Sequence, residues 1–283
     1  MLPKSSVFRR CRWLCRPVDT LLFVKTAGLL FLQVTHAVCR ETTPLVLFPP
    51  QSEAQPVMVV YYSGDGGYNA TGRGIGRELS GKGIGVVGVN SLRYFFTART
   101  PAGASNDLAG IIRRYSAEWH ARSCVVSGFS FGADAIGFLV RGLPDSLRRT
   151  VRLVICLAPG HYADFRFTLK SWFGIADSRD YPVVDCLRLL AADIPVVCFY
   201  GRSDSWSCGP VLQNDARIET HILDRGHRIG RHYEPIVKLL VARCRAIAAE
   251  SADLGSAGHD VHRSGTAGSR QKTENRTDSG GRE

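Results

Sequence analysis

Gly128-Phe129-Ser130-Phe131-Gly132 places a hydroxyl between two glycines. An apolar run, Cys124-Val125-Val126, precedes it, and a helix-like run, Ala133–Val140, follows. A serine on a tight strand-to-helix turn holds its hydroxyl above the sheet, where it can attack a carbonyl carbon. The glycines on either side let the neighbouring strand and helix approach that turn. The pentapeptide also occurs without chemistry. An acid, a base and donors for a developing oxyanion are therefore required elsewhere in the chain.

Each has a candidate just beyond an apolar run. Tyr200-Gly201-Arg202-Ser203-Asp204 ends the run Ile194–Tyr200, and Asp224-Arg225-Gly226-His227 follows Ile218–Leu223. In this scheme His227 takes the Ser130 proton, while Asp204 fixes the imidazole tautomer and stabilises the imidazolium. The bland reading of Asp204 is a turn-forming aspartate, and that of His227 is a solvated loop histidine. Asp180, Asp185, Asp193 and Asp224 are the rival acids, and His161, His221 and His232 the rival bases. Ser63-Gly64-Asp65-Gly66-Gly67 follows Val57–Tyr62, where backbone N–H groups can meet an alkoxide. The Phe131 N–H is one predicted oxyanion donor, and Gly64 or Asp65 supplies the other. The run lacks both G-K-[ST] and G-x-G-x-x-G, so a phosphate cradle is disfavoured.

Apolar runs alternate with amphipathic stretches, which predicts how these groups are positioned. Val57–Tyr62, Ile84–Asn90, Ser123–Ser127, Val151–Leu157, Ile194–Tyr200 and Ile218–Leu223 read as strands. Helices are predicted near Thr71–Gly81, Ala104–Arg122, Phe131–Leu143 and Tyr233–Ala249. Near-continuous Val, Ile and Cys runs separated by helices indicate a parallel sheet covered on both faces. This is a doubly wound, mostly parallel α/β sheet, with active groups beyond the carboxyl ends of its strands. The order Ser130, Asp204, His227 is that of the α/β-hydrolase fold. Residues 159–193 carry Phe165, Phe167, Trp172, Phe173 and Tyr181 without clear period and are expected to form a small cap or excursion.

The chain ends are read as non-core. Residues 1–37 combine Lys4, Arg9, Arg10, Arg12 and Arg16 with apolar stretches and close on Thr35-His36-Ala37, the three-part pattern of a secretory signal. Lys25 interrupts the apolar part, and an uncleaved anchor is the alternative. Residues 251–283 are rich in Gly, Ser, Arg, Asp and Thr, and are expected to be a disordered polar tail. Of the formal charge of +11, about +7 falls on residues 38–249, which suits an anionic membrane surface. No basic run with interleaved aromatics suggests nucleic acid. Nine cysteines include Cys11 and Cys15 in the signal, and the other seven contain no C-x-x-C pair, which disfavours a zinc ribbon. Cys124, Cys156 and Cys198 lie in apolar runs and read as buried small hydrophobes. In an oxidising compartment, Cys198–Cys208 or Cys186–Cys208 is the expected bridge. No metal or cofactor is called for.

Several segments together resemble the VirJ/AcvB family of exported bacterial virulence-associated proteins. They are Tyr62-Ser63-Gly64-Asp65-Gly66-Gly67, Ser91-Leu92-Arg93-Tyr94-Phe95-Phe96 with Thr100-Pro101, and Gly128–Asp134. The likeness spans roughly residues 55–245. Tyr68 stands where that family usually has Trp, and Phe129 where it has Tyr, changes expected to alter pocket polarity. The resemblance implies a periplasmic hydrolase of aminoacylated phosphatidylglycerol, with peripheral membrane contact and secretion-system proteins as partners. Asp65 and Asp134 are then candidates for a lysyl ammonium, and Arg93 for the lipid phosphate. A helix-start role for Asp134 and a salt bridge for Arg93 are the plainer readings. A general esterase or thioesterase, and a non-catalytic binding protein, are the competing functions.

Overall fold

Strands buried on both faces need apolar side chains in both directions. Val57–Tyr62 meets that demand: Met58, Val60 and Tyr62 enter one core, and Val57, Val59 and Tyr61 the other. The same alternation repeats in Val196–Gly201, where Val196, Cys198 and Tyr200 oppose Val197 and Phe199. The computed structural model describes residues 43–168, 179–228 and 232–264. The predicted signal, Trp172, Phe173 and the tail beyond Ser264 lie outside the described residues.

In chain order the elements are β1 (Leu45–Phe48), β2 (Val57–Tyr62), α1 (Ala70–Ser80), β3 (Gly85–Val89), α2 (Ser91–Tyr94), α3 (Pro101–Glu118), β4 (Ser123–Phe129) and α4 (Phe131–Arg141). There follow α5 (Asp145–Arg148), β5 (Val151–Leu157), α6 (Val183–Leu190), β6 (Val196–Gly201), α7 (Gly209–Leu212), β7 (Ile218–Leu223) and α8 (Glu234–Ser264). They build a seven-stranded sheet of order β1-β3-β2-β4-β5-β6-β7. β1 runs antiparallel to β3, and every other pairing is parallel. α3, α4 and α6 contribute to the core on one face, and α1 and α8 to the core on the other. The doubly wound reading is correct.

Three expectations change. β1 went unread because four residues are too short for a pattern, although Pro44 and Pro49-Pro50 bound it as an edge strand. The last helix continues through Ser264, so residues 251–264 are helical backbone and not part of a structureless tail. Cys124, Cys156, Cys186, Cys198, Cys208 and Cys244 are all buried free thiols. Neither predicted bridge forms, because these residues fill core space as small hydrophobes. In the 159–193 excursion, Phe165 and Tyr181 pack edge-on at 4.9 Å and both rest against Phe138 of α4. Among the described residues, no helix is long and apolar enough to cross a membrane.

Candidate active site

β4 sits at the centre of the sheet, and the chain must turn sharply after it to start α4. Ser130 makes the turn at φ 50° and ψ −121°. That left-handed conformation is uncommon for a residue with a side chain and stores strain. Two backbone bonds hold it: the Ser130 N–H donates to Leu157 O at 2.8 Å, and the Asp134 N–H donates to Ser130 O at 3.0 Å. The flanking glycines are required by close approach. A Cβ on Gly128 would lie 2.6 Å from the Gly132 carbonyl carbon, and one on Gly132 would lie 2.5 Å from Ser63 O.

The strained turn aims Ser130 at the base. Ser130 Oγ and His227 Nε2 are 2.7 Å apart, and His227 Nδ1 lies 2.8 Å from Asp204 Oδ2. The other Asp204 oxygen accepts the Trp206 N–H at 3.2 Å, closing an Asx turn that fixes the carboxylate. The Asp204 side chain is about 1% exposed and that of His227 25%, so the acid is dry while the imidazole faces the cleft. The acid loop and the histidine loop are tied together. Arg202 N–H donates to Leu223 O, and Ser203 N–H to Arg225 O, at 2.8 and 3.0 Å. Gly201 permits this approach, since a Cβ there would meet Arg225 O at 2.4 Å. The rings of Phe129 and Trp206 flank His227, each at 5.7 Å.

Two of the rival groups are engaged elsewhere. Asp224 pairs with Arg202 at 2.8 Å, and His221 pairs with Glu219 at 2.7 Å while stacking on Phe199. His161 is exposed, and its carbonyl accepts the Val183 N–H.

The Ser63–Gly67 loop lies against the start of α4. Ser63 Oγ accepts the Ser91 N–H at 3.0 Å, and the Gly67 N–H closes the turn onto Gly64 O at 3.1 Å with φ 73° at Gly67. Phe131 is the first residue of α4, where N–H groups lack intrahelical acceptors. A cleft of about 290 Å³ is lined by Gly64, Asp65, Gly66, Asn69, Thr71, Phe129, His227 and Arg228. The loop and His227 therefore share one opening.

Three predicted positions are placed differently. Arg93 is exposed on α2 and does not line the cleft; the arginine that does is Arg228, adjacent to the base. Sequence reasoning missed Arg228, although a cation directly after a candidate histidine was a usable signal. Tyr68 is buried against Tyr61 and Phe48, so its replacement of Trp does not reach the cleft; Phe129 does. Asp134 turns from the cleft lining to accept the Gly160 N–H at 2.6 Å. Pro159 O in turn accepts the Cys208 N–H at 2.8 Å, so Asp134 braces the nucleophile helix to the segment that carries the acid loop.

Burial pushes the Asp134 carboxyl well above the usual carboxylate range; the Gly160 hydrogen bond opposes the shift and the nearby Asp164, Asp65 and Asp204 reinforce it. A raised carboxyl pKa means that the folded state holds the proton longer than the unfolded chain does. Stability from this group is therefore lost as pH rises above the unfolded value, about 3.9. Asp134→Asn keeps an acceptor for Gly160 and removes the ionisation cost. It is expected to melt higher than wild type at pH 8 and to lose that advantage near pH 4, as read by thermal denaturation across pH. Equal melting shifts at both pH values would show that Asp134 does not titrate against folding.

The fold has counterparts among solved structures. Est1E from Butyrivibrio proteoclasticus superposes with a TM-score of 0.51 at 12% identity, covering 74% of this chain and 94% of that one. An alpha-beta serine hydrolase homologue from Coxiella burnetii gives 0.49 at 16% identity, over 70% and 90% of the two chains. The esterase domain of a Rhodothermus marinus protein gives 0.49 at 15%, over 71% and 97%. These likenesses concern the α/β-hydrolase fold. Curated protein sequences give no match. The family model described as bacterial virulence protein (VirJ) matches residues 56–248, which include the elbow, the glycine loop and all three members of the triad. With that match over most of its length, the chain belongs to the VirJ family of bacterial virulence proteins.

Proposed function

We propose that this protein is an exported serine hydrolase that cleaves the carboxylic ester of aminoacylated phosphatidylglycerol, lysyl-phosphatidylglycerol above all, in the periplasm. The observation that carries the hydrolase reading is the continuous relay from Ser130 Oγ through His227 to the buried Asp204. His227 accepts the Ser130 proton as Oγ attacks the aminoacyl carbonyl carbon. The oxyanion meets the Phe131 N–H and an N–H of Gly64 or Asp65. Collapse breaks the ester C–O bond, and His227 returns its proton to the departing glycerol hydroxyl. Water, activated by His227, then releases the amino acid from Ser130.

Charge in the cleft supports the aminoacyl lipid as substrate. Asp65 lines it as a carboxylate for an ammonium, and Arg228 lines it as a cation for a phosphodiester. Export is supported by the basic and apolar pattern of residues 1–37. The test is incubation of purified protein with vesicles containing lysyl-phosphatidylglycerol, following free lysine and phosphatidylglycerol together. Both are expected to appear in equal amounts. Hydrolysis of soluble esters with the aminoacyl lipid left intact would replace this substrate by that of a general esterase.

Asp65→Asn separates binding of the ammonium from chemistry. A hydrogen bond to a charged group contributes about 1.5–3 kcal/mol, so kcat/KM for the lysyl lipid is expected to fall roughly 10- to 150-fold. Turnover of an uncharged soluble ester is expected to change little. A parallel loss on both substrates would place Asp65 in the oxyanion loop's structure and not in recognition.

A further inference from the structure

The carboxyl-terminal edge of the sheet carries side chains that a water-facing rim does not need. Among the described residues, the two aromatic side chains more than half exposed are Phe96 at 73% and Trp206 at 52%. Both lie on loops at the carboxyl ends of the parallel strands. Phe96 follows β3 and α2, and Trp206 follows β6. In the sheet order these strands stand four positions apart, about 19 Å at ordinary strand spacing. β4, which leads into Ser130, stands midway between them. The exposed aromatics therefore straddle the nucleophile.

Cations share that rim. Arg93 and Arg228 are exposed, as is Arg166, and none makes an ion pair with a described residue. Arg166 is held beside Phe96 by backbone bonds between the two loops: the Phe167 N–H donates to Phe95 O at 2.6 Å, and the Arg99 N–H to Phe165 O at 2.8 Å. Aromatic rings with an apolar body favour the level of lipid headgroups. Unpaired arginines are attracted to an anionic leaflet within a Debye length. A compact protein partner would require carboxylates matched to separate arginines across this span, whereas a bilayer surface offers diffuse negative charge everywhere.

We propose that this rim is a docking surface for an anionic lipid bilayer, with Phe96 and Trp206 entering the headgroup layer on either side of the cleft and Arg93, Arg166 and Arg228 meeting lipid phosphates. The purpose of the contact rests on the lipid-ester reading above, since it sets the cleft mouth against headgroups. The contact itself is measured without turnover.

The test uses full-length protein and sedimentation with phosphatidylcholine vesicles, with and without phosphatidylglycerol. Binding is expected with the anionic vesicles, weakened by high salt, and reduced roughly tenfold or more by Phe96→Ser combined with Arg166→Gln. That double variant is expected to retain wild-type turnover of a soluble ester. Brominated lipid is expected to quench a fluorescence component that Trp206→Phe removes. Equal binding by the double variant, equal binding to neutral vesicles, or an unquenched Trp206 would overturn the proposal. So would concentration-dependent self-association that Phe96→Ser abolishes, which would give the face to a second copy of the chain. Intact anionic-vesicle binding without lysine release would sink the lipid-ester reading and leave the docking surface standing.

Discussion

Ser130→Ala is expected to lower ester turnover by about 10⁶-fold in kcat, with the fold unchanged. The alanine removes the nucleophile yet keeps the backbone at φ 50°, the sheet bond to Leu157 and the helix bond to Asp134. His227→Ala is expected to cost about as much, because the triad acts as a unit and single losses do not add. Asp204→Asn is the sharper member of the series. An amide presents its NH₂ or its oxygen to His227 Nδ1, and with Trp206 N–H already donating to the other side-chain atom, the amide nitrogen faces the imidazole. The imidazole then carries its proton on Nε2 and cannot accept from Ser130. Turnover is expected to fall about 10⁴-fold while KM stays near wild type. The series is read with a soluble chromogenic ester, alongside circular dichroism to confirm folding. Retained activity in Ser130→Ala would remove the covalent mechanism. A loss of less than tenfold in Asp204→Asn would point to another acid, with Asp224 the nearest in sequence.

The arrangement of Ser130, His227 and Asp204 was legible for a physical reason. Each of its members stands just beyond its own strand, and in a parallel sheet buried on both faces the strands announce themselves as unbroken apolar runs. Ser127-Gly128, Tyr200-Gly201 and Leu223-Asp224 mark places where such a run stops, and all three stops fall at the same edge of the sheet. Features that depend on side-chain direction were not legible. Asp134 and Asp65 are both acids near glycines in sequence, but one accepts from Gly160 and the other lines the cleft. Nothing in spacing distinguishes them, because the choice is made by the loop after β5, far away in the chain. Arg93 and Arg228 illustrate the same limit: the arginine within a conspicuous motif faces out, and the one without a motif lines the site. The thiols misled for a different reason. An oxidising compartment suggests Cys198–Cys208 or Cys186–Cys208, whereas burial in the core accounts for all three without a bond.

Gly132→Ala is expected to damage stability and turnover together. Its Cβ would lie 2.5 Å from Ser63 O, 2.6 Å from Tyr62 O and 2.8 Å from the Tyr62 carbonyl carbon, all backbone atoms at the end of β2. No rotamer relieves contact with backbone. Either α4 moves away from the sheet, carrying Ser130 with it, or the Ser63–Gly67 loop moves, carrying the proposed second oxyanion donor. Overpacking of this kind costs about 1–3 kcal/mol, or very roughly 2–12 °C in Tm for a domain of this size. The geometric consequence exceeds the energetic one. Both shifts separate the Phe131 N–H from the loop N–H proposed to converge with it on a single oxygen, and loss of one oxyanion donor costs about 10²–10³ in kcat. Gly66→Ala is the matched control, since a Cβ there meets nothing within 4 Å. It is expected to leave stability within about ±0.5 kcal/mol of wild type. If Gly132→Ala lowered Tm but left kcat intact at a temperature where the protein is fully folded, the helix and the loop would be adjusting together. Their N–H groups would then still converge on one oxygen in spite of the added methyl.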